Sequence, residues 1–253
     1  MLQFGTGALL ATRNDITGQT PVRFAALQSV DWDFSFTEKE LTGRNQMPIT
    51  VARGAGKWTG KAKLGVISAK LFNSIFFGQT LTTGQIAAAI DEAHSVPSSS
   101  PFTVSPSFQS TFYSDQGVSY AGPLGLQLTM DTTGPAASAN YEPPPASSTT
   151  GVYTFSSSDS GAAILLNYLY TLTTGEQIAL TNLQQGTTPT FSGVFRNRDP
   201  QTALYMTLVV NKMTCSKLTL SSKTSDFVIP EMDLTIMDDG TGNLGTLSTG
   251  DVS

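Results

Sequence analysis

Side chains that exchange protons or bind metals are scarce in this sequence of 253 residues, which contains one histidine and one cysteine. His94 follows two acids at the end of a segment of helical composition, where a surface or capping histidine is expected. Cys215 lies in a strand-like run with no histidine nearby in sequence, which indicates a packed core thiol. A lone cysteine excludes a disulfide within the chain and a cysteine-based zinc site. We therefore expect a non-enzymatic protein with no catalytic residue, no cofactor and no metal site.

Three patterns superficially resemble reactive or ligand-binding sites. Asp31 and Asp33 share one face of a strand about 7 Å apart, a separation that suits the carboxylates of an inverting glycosidase. Residues 53–57 (RGAGK) resemble part of a phosphate loop, but Trp58 stands where that loop requires Ser or Thr. Residues 238–243 (DDGTGN) resemble a calcium loop without its distal Glu. A solvated strand face and a tight turn explain the acids and the last segment more simply.

Alternation of apolar and polar residues with a period of two predicts β-strands. It is clearest in residues 29–37, where Trp32 and Phe34 alternate with Asp31 and Asp33. Further runs with this period are 57–64, 124–131, 204–210 and 231–236. Glycine-rich segments separate the runs, which favours antiparallel pairing. The sequence therefore predicts a mainly β protein, an antiparallel β-sandwich or barrel.

Two segments depart from this alternation. Residues 68–77 carry apolar side chains at helical spacing, with Ser68 to cap the start and Gly78 to close the end, and they predict one flanking α-helix. Residues 84–94 (GQIAAAIDEAH) are rich in alanine and predict a second, weaker helix.

Proline and charge are unevenly distributed. Residues 97–150 contain eight of the 13 prolines, which favours loops and edge strands. We therefore expect a single domain over residues 1–253, with 97–150 as a Ser/Pro-rich elaboration. Residues 71–195 contain seven acids and no Lys or Arg. This part of the chain lacks the cations that contact nucleic-acid phosphates, so we expect no nucleic-acid binding there.

The chain has the composition of a folded protein that does not enter a membrane. It is 39% hydrophobic and 13% charged with a formal net charge of −5, which is unlike a disordered chain. Its apolar stretches are far shorter than the ~20 residues of a membrane span. The amino terminus lacks the basic start of a signal peptide, and we expect a soluble protein that is not exported.

Eight segments agree, in order, with one family of proteins. They are residues 4–13 (FGTGALLATR), 20–28 (TPVRFAALQ), 36–43 (FTEKELTG), 51–57 (VARGAGK), 71–73 (LFN), 217–220 (KLTL), 226–231 (DFVIPE) and 239–247 (DGTGNLGTL). Together they resemble tail tube proteins, the major tail proteins of long-tailed bacteriophages. The resemblance extends over residues 1–80 and 151–253 and is weakest in 97–150.

The resemblance implies a structural virion protein. In this family, subunits contribute strands to the central β-barrel of a hexameric ring, and rings stack into the hollow tube that conducts the genome during ejection. It implies assembly in the host cytoplasm and a final location in the virion tail. The implied partners are further copies of the chain and the tape-measure, tail terminator and distal tail proteins. Double-stranded DNA would pass through without specific binding, and no membrane partner is expected.

A tube for DNA must enclose phosphate without gripping it, which favours an acidic or neutral wall. The outward acids of the alternating strands are therefore candidate lumen residues: Asp31, Asp33, Glu231 and Asp233. Candidate contacts between subunits or rings are Phe4, Arg13, Glu38, Lys39, Glu40, Arg44, Lys57, Lys61 and Lys63. The polar segment 38–47 is either a loop that reaches a neighbour or a solvent loop.

The lysines of residues 57–63 form a basic row on one strand face. Like charges on one face repel, so we expect carboxylates opposite Lys57, Lys61 and Lys63, either across the strand or on the next ring. A place for this row in the lumen stays open as an alternative.

Two other functions fit parts of the sequence. A carbohydrate-binding β-sandwich is suggested by the Ser/Thr-rich composition and by four tyrosines: Tyr113, Tyr120, Tyr141 and Tyr153. A glycosidase would use Asp31 and Asp33. The carbohydrate-binding module would stay monomeric, whereas a tail tube protein assembles with copies of itself.

Overall fold

A computed structural model describes residues 7–24, 26–66, 68–135, 137–221 and 224–250. The protein is mainly β, as predicted, with a single short α-helix in these ranges. Phe4, a predicted contact residue, lies outside the described residues. The strands are β1 (Ala8–Arg13), β2 (Val22–Arg23), β3 (Leu27–Thr42), β4 (Pro48–Leu64), β5 (Leu81–Ser95), β6 (Thr103–Val104), β7 (Phe112–Tyr120), β8 (Thr129–Met130), β9 (Asn140–Glu142), β10 (Tyr153–Phe155), β11 (Ala163–Ile178), β12 (Phe191–Arg198), β13 (Tyr205–Thr219), β14 (Glu231–Ile236) and β15 (Gly245–Thr249).

The chain divides into two compact units. The first unit contains residues 1–81 and 178–253, and the second contains 82–177. The sequence predicted one domain with an elaboration at 97–150. The second unit is wider than that segment because the long strands β5 and β11, which pair with each other, flank it on both sides.

The first unit is built on an eight-stranded sheet with the order β2-β1-β12-β13-β14-β4-β3 and with β15 paired to β13. All its pairings are antiparallel. One face of the sheet is apolar and buried, with Leu9, Leu64, Met213 and Met232 each at most 1% exposed. Cys215 is buried in the same core, as predicted, and burial raises the pKa of its thiol to about 12.

A short helix covers this apolar face. Helix α1 (Ala69–Phe72) continues as a π-helical turn over Asn73–Phe77. Ser68 Oγ accepts a hydrogen bond from the Leu71 amide at 3.3 Å, and Gly78 ends the turn in the left-handed conformation at φ 64°. The predicted helical segment and both of its ends are therefore confirmed, but only Ala69–Phe72 is α-helical and the second half is π-helical. Leu71 and Ile75 are buried against the sheet.

The second unit has a core of its own. It contains a four-stranded sheet, β6-β10-β9-β8, and a three-stranded sheet, β5-β11-β7. The β8–β9 pairing is parallel, whereas β10 pairs antiparallel with β6 and β9, and β11 pairs antiparallel with β7. The core of the unit includes Ile164, Leu166 and Tyr168, all fully buried.

The predicted helix over residues 84–94 is wrong, because this segment lies in strand β5. Its alanines favour a helix, but pairing with β11 satisfies the backbone in an extended form and overrides that weak preference. The Thr82 hydroxyl lies 3.5 Å from the Gln177 carbonyl oxygen, and the Asp91 amide donates to Asn167 Oδ1 at 2.8 Å. Gly84, at φ 93°, also adopts a backbone conformation foreign to a helix.

Four of the five predicted strands are confirmed, lying in β3, β4, β13 and β14. The run 124–131 is mostly irregular, and only Thr129–Met130 forms a strand. A turn interrupts it, since the Gly125 amide donates to the Gly122 carbonyl at 3.0 Å and Gly125 has φ 51°. Leu124 is consequently 83% exposed.

Replacing Leu71 by alanine tests how much the helix contributes to the first unit. Leu71→Ala leaves a cavity between helix and sheet and is expected to lower the free energy of unfolding by about 2–5 kcal/mol. The matched control is Lys70→Ala, an exposed neighbour on the same helix, with an expected change within about 0.5 kcal/mol. Urea unfolding followed by tryptophan fluorescence measures both, and equal effects would contradict this role of the helix.

Candidate functional site

Strands β3 and β4 form a long antiparallel pair that extends well beyond the core. Their register runs from Leu27 opposite Leu64 to Thr42 opposite Pro48. The loop predicted over residues 38–47 is therefore shorter than expected. Residues 38–42 continue β3, and the connection is limited to residues 43–47. The outer part of the pair, residues 34–57, is named the ribbon.

Aromatic side chains stiffen the base of the ribbon. The Phe34 and Trp58 rings stack with centroids 4.5 Å apart, and Trp32 contacts Trp58 edge-on at 6.3 Å. Gly60 lies directly opposite Trp32, and a Cβ at Gly60 would come within 2.5 Å of that ring. The glycine therefore lets the indole lie flat across the neighbouring strand.

Apolar side chains remain exposed along the ribbon. Six of them are between 50% and 78% exposed: Phe34, Phe36, Leu41, Met47, Ile49 and Val51. Single exposed apolar residues are ordinary, but a group on one projecting element marks an interaction surface. The alternation in residues 29–37 would bury Phe34 and Phe36 only if this part of the strand lay over the core, and it extends beyond the core instead.

The face of the first sheet opposite the helix carries charges of alternating sign. The register places Lys61 between Asp31 on β3 and Asp233 on β14, and it places Lys217 of β13 opposite Asp233. A row of alternating charges therefore crosses four strands. The part of this surface formed by residues 29–35, 57–63, 217–219 and 231–235 is named the charged face. Its charged residues are Asp31, Asp33, Lys57, Lys61, Lys63, Lys217, Glu231 and Asp233.

Two ion pairs join the lysine row to β14. Lys63 Nζ lies 2.8 Å from Glu231 Oε1, and Lys61 Nζ lies 3.9 Å from Asp233 Oδ1. The hydrogen bond with Glu231, followed by Coulombic attraction, raises the pKa of Lys63, and the same bond lowers the pKa of Glu231. These side chains are well exposed, so each pair adds little stability. The prediction that carboxylates face the lysine row is confirmed for Lys61 and Lys63, and these carboxylates belong to neighbouring strands of the same chain. Lys57 lies opposite Ser35 instead.

An open cleft of about 450 Å³ lies on the charged face, lined in part by Asp31, Asp33, Lys57, Lys61 and Asp233. Asp31 and Asp33, the pair considered for a glycosidase, are exposed there. The general acid of that reaction is a carboxyl group kept protonated by apolar surroundings. The cleft offers charged and hydrated surroundings instead, which disfavours a glycosidase site.

The other predicted contact residues lie in different places. Residues 38–40 are exposed on the ribbon, and Arg44 is exposed in its connection. The Arg13 side chain is only 8% exposed on β1, and its Nε donates to Asp15 Oδ1 at 2.8 Å. This hydrogen bond lowers the pKa of Asp15. Arg13 is thus engaged within the chain, whereas the ribbon presents its charges outward.

The second unit contains buried tyrosine–carboxylate clusters that no pattern in the sequence indicates. Asp115 accepts hydrogen bonds from the hydroxyls of Tyr141 and Tyr153 at 2.7 and 2.8 Å. Asp159, which is 4% exposed, accepts one from Tyr120 at 2.6 Å. No local spacing signals these clusters, because the partners lie 26 to 39 positions apart in sequence.

His94 belongs to a third such cluster rather than to a helix end. Its Nε2 lies 2.6 Å from Glu92 Oε1, which also accepts from the Ser107 amide at 2.8 Å. The Tyr168 hydroxyl donates to Glu92 Oε2 at 2.5 Å. Glu92 thus contacts the imidazole, the Tyr168 hydroxyl and the Ser107 amide together, which gives the half-buried histidine of β5 a structural role.

The two segments that resemble ligand-binding motifs form an ordinary turn and part of a strand. In residues 238–243, Asp238 Oδ1 accepts from the amides of Gly240 and Gly242 at 2.7 and 3.0 Å, which is a tight turn as expected. Residues 53–57 are part of strand β4 and form no phosphate loop. Among the described residues, no group of three or more His, Cys, Asp or Glu is placed to hold a metal ion. Within the same ranges, no helix has the length and apolar character needed to cross a membrane.

Comparison with known proteins leaves the function to be inferred from this geometry. No model of a known protein family matches the chain. A search among curated proteins also returns no match.

The buried tyrosines predict a loss of stability at alkaline pH. Burial raises the pKa of Tyr141, Tyr153 and Tyr168 in the folded chain, and the adjoining carboxylates raise it further. In the unfolded chain a tyrosine has a pKa of about 10. Above that pH the unfolded chain releases protons that the folded chain keeps, so the free energy of unfolding falls as pH rises. We expect a fall of about 1.4 kcal/mol per pH unit for each tyrosine.

Urea unfolding followed by circular dichroism, at several values from about pH 8 to pH 11, measures this slope. The stability contribution of these groups is fully present below about pH 9. Tyr153→Phe removes one titrating group and is expected to reduce the slope above pH 10 by about 1.4 kcal/mol per pH unit. A slope that is flat above pH 10, or unchanged in the variant, would show that these hydroxyls ionise in the folded chain as they do in water.

Proposed function

We propose that this chain is the tail tube subunit of a long-tailed bacteriophage. Six copies form a ring, strands of the six first units join into a central β-barrel, and stacked rings form the hollow tube that conducts the genome during ejection. The protein is then a structural component of the virion tail, assembled in the host cytoplasm. Its partners are copies of itself and the tape-measure, tail terminator and distal tail proteins.

The ribbon is the observation that carries this proposal. It projects a two-stranded element with exposed apolar residues from Phe34 to Val51. On an isolated chain these side chains would remain in water at a cost of about 25 cal/mol per Å² of apolar surface. A neighbouring copy of the chain would cover them, and a projecting ribbon is suited to reach one.

The open edge of the first sheet supports the same proposal. β3 is the last strand of that sheet and runs for 16 residues. Monomeric β proteins keep edge strands short or covered, since a long free edge invites pairing with another chain. In a closed ring, strands of the neighbouring subunit pair with this edge. Repeating the contact by rotation through a fixed angle closes the barrel.

The two faces of the first sheet suit the two sides of a tube wall. The helix covers the apolar face, so the charged face is the one available to line a lumen. The candidate lumen acids Asp31, Asp33, Glu231 and Asp233 all lie on it. They share it with an equal number of lysines, so the proposed wall is neutral by compensation rather than acidic.

The carbohydrate-binding alternative draws less support from its tyrosines. Tyr141 and Tyr153 are at most 2% exposed, and their hydroxyls are bound to Asp115. Tyr120 is half-buried and bound to Asp159. Only Tyr113 of the four, at 41% exposure, presents a ring that a sugar could stack on. One tyrosine is a small platform for a glycan.

Negative-stain electron microscopy of the purified protein separates these functions. Sixfold rings or hollow filaments are expected for a tail tube subunit. Dispersed single particles at high concentration would contradict the proposal, and retention on a glycan array by such particles would favour the carbohydrate-binding module.

Charge introduced on the ribbon is expected to stop assembly without unfolding the chain. Ile49→Asp with Val51→Asp would bury unpaired carboxylates in a contact between copies, at about 3–5 kcal/mol each. Both residues are exposed in the single chain, so circular dichroism should stay unchanged. The control is Leu124→Asp, an exposed leucine of the second unit. Rings formed by the double variant as readily as by the control would remove the ribbon from the interface.

A further inference from the structure

We infer that the charged face is a surface for double-stranded DNA whose phosphate affinity is held low by its own interleaved carboxylates. The inference rests on the proposed function, in which this face meets the DNA in the tube. It deepens that function by naming how the contact is kept weak. The ligand is the phosphate backbone, which is bound without reading base sequence.

The lysines by themselves would form a phosphate-binding array. Lys61 and Lys63 are successive residues on one face of β4, about 6.7 Å apart by strand geometry, and Lys57 continues the row. Lys217 lies two strands away on the same face, opposite Asp233. Four ammonium groups on one flat surface are the arrangement that releases counterions from duplex DNA.

The carboxylates occupy the positions between these lysines. Asp31 and Asp233 flank Lys61 on both sides, and Glu231 binds Lys63. With Asp33 the face has four carboxylates and four lysines, so its charges sum to zero. Neighbouring strands lie about 4.8 Å apart, less than the Debye length of about 8 Å at physiological ionic strength, so a DNA phosphate experiences both signs together.

Several other cations of the first unit are held in different environments. The Arg196 guanidinium lies 3.7 Å from the centroid of the Tyr205 ring, and that of Arg53 lies 5.0 Å from the centroid of Phe36. Arg13 is paired with Asp15. Lys61, Lys63 and Lys217 differ from the two stacked arginines, because carboxylates lie opposite them on neighbouring strands.

Removing the carboxylates should therefore convert the surface into one that binds DNA. The test variant carries Asp31→Asn, Glu231→Gln and Asp233→Asn, which keep side-chain size and remove three negative charges. Binding of the dispersed chain to a fluorescently labelled duplex is measured by anisotropy between 50 and 200 mM salt. We expect negligible binding by the unaltered chain. The variant should bind at least tenfold more tightly at low salt, and three freed lysine–phosphate contacts predict a loss of roughly 40-fold in affinity across this range.

The second unit provides a control matched in charge. Asp91→Asn, Glu142→Gln and Glu176→Gln remove the same number of charges from a unit that contains no Lys or Arg. This control should bind DNA no better than the unaltered chain. Adding Lys61→Gln and Lys63→Gln to the test variant should abolish the gained affinity.

Two results would overturn the inference. One is salt-dependent DNA binding by the unaltered chain, and the other is a test variant that binds no better than the matched control while keeping its circular dichroism spectrum. If the triple variant unfolds, the single change Asp31→Asn on the exposed edge strand takes its place. It is expected to give a smaller gain in DNA affinity, and no gain would count against the inference. Microscopy tests the tube separately. Rings without the gained affinity remove the inference alone. Gained affinity without rings removes the tube and the DNA contact that depends on it, and leaves only the charge compensation on this face.

Discussion

The register of β4 against β3 and β14 determines which side of the first sheet is apolar and which is charged. Because side chains alternate along a strand, a slip of one residue would move the lysines into the core and Leu64 into solvent. Gly60 helps to fix this register, since only a residue without a Cβ admits the Trp32 ring above it. The helix cover on one side and the paired charges on the other both follow from this one alignment of three strands.

Strong local patterns in the sequence were sufficient for much of the first unit. The alternation of 29–37 and 57–64 and the caps at Ser68 and Gly78 each depend on neighbours in sequence, and each was predicted correctly. Long-range pairing was not accessible in the same way. The helical composition of 84–94 was overridden by β11, whose pairing partners lie 76 to 95 positions away. The sequence predicted that carboxylates lie opposite the lysines of β4. Which carboxylates they are depended on the strand order, which the sequence did not reveal.

Both units bury an apolar core, but they treat their polar groups differently. The first unit buries aliphatic side chains and places its charges on exposed ion pairs, which contribute little to folding. The second unit buries hydroxyls against carboxylates such as Asp115 and Asp159, and each of these groups is satisfied by the others. Such a network is favourable only when complete, because each unpaired member would carry the full cost of its lost hydration.

The chain enters and leaves the second unit through one pair of strands. Thr82 and Gln177 lie at its two boundaries, where the Thr82 hydroxyl is 3.5 Å from the Gln177 carbonyl oxygen. A tight turn spanning the ~4.8 Å between paired strands could replace everything in between without changing the path of the flanking polypeptide. The segment therefore has the connectivity of a cassette, which recombination or protein engineering can gain, lose or exchange through a single crossing point.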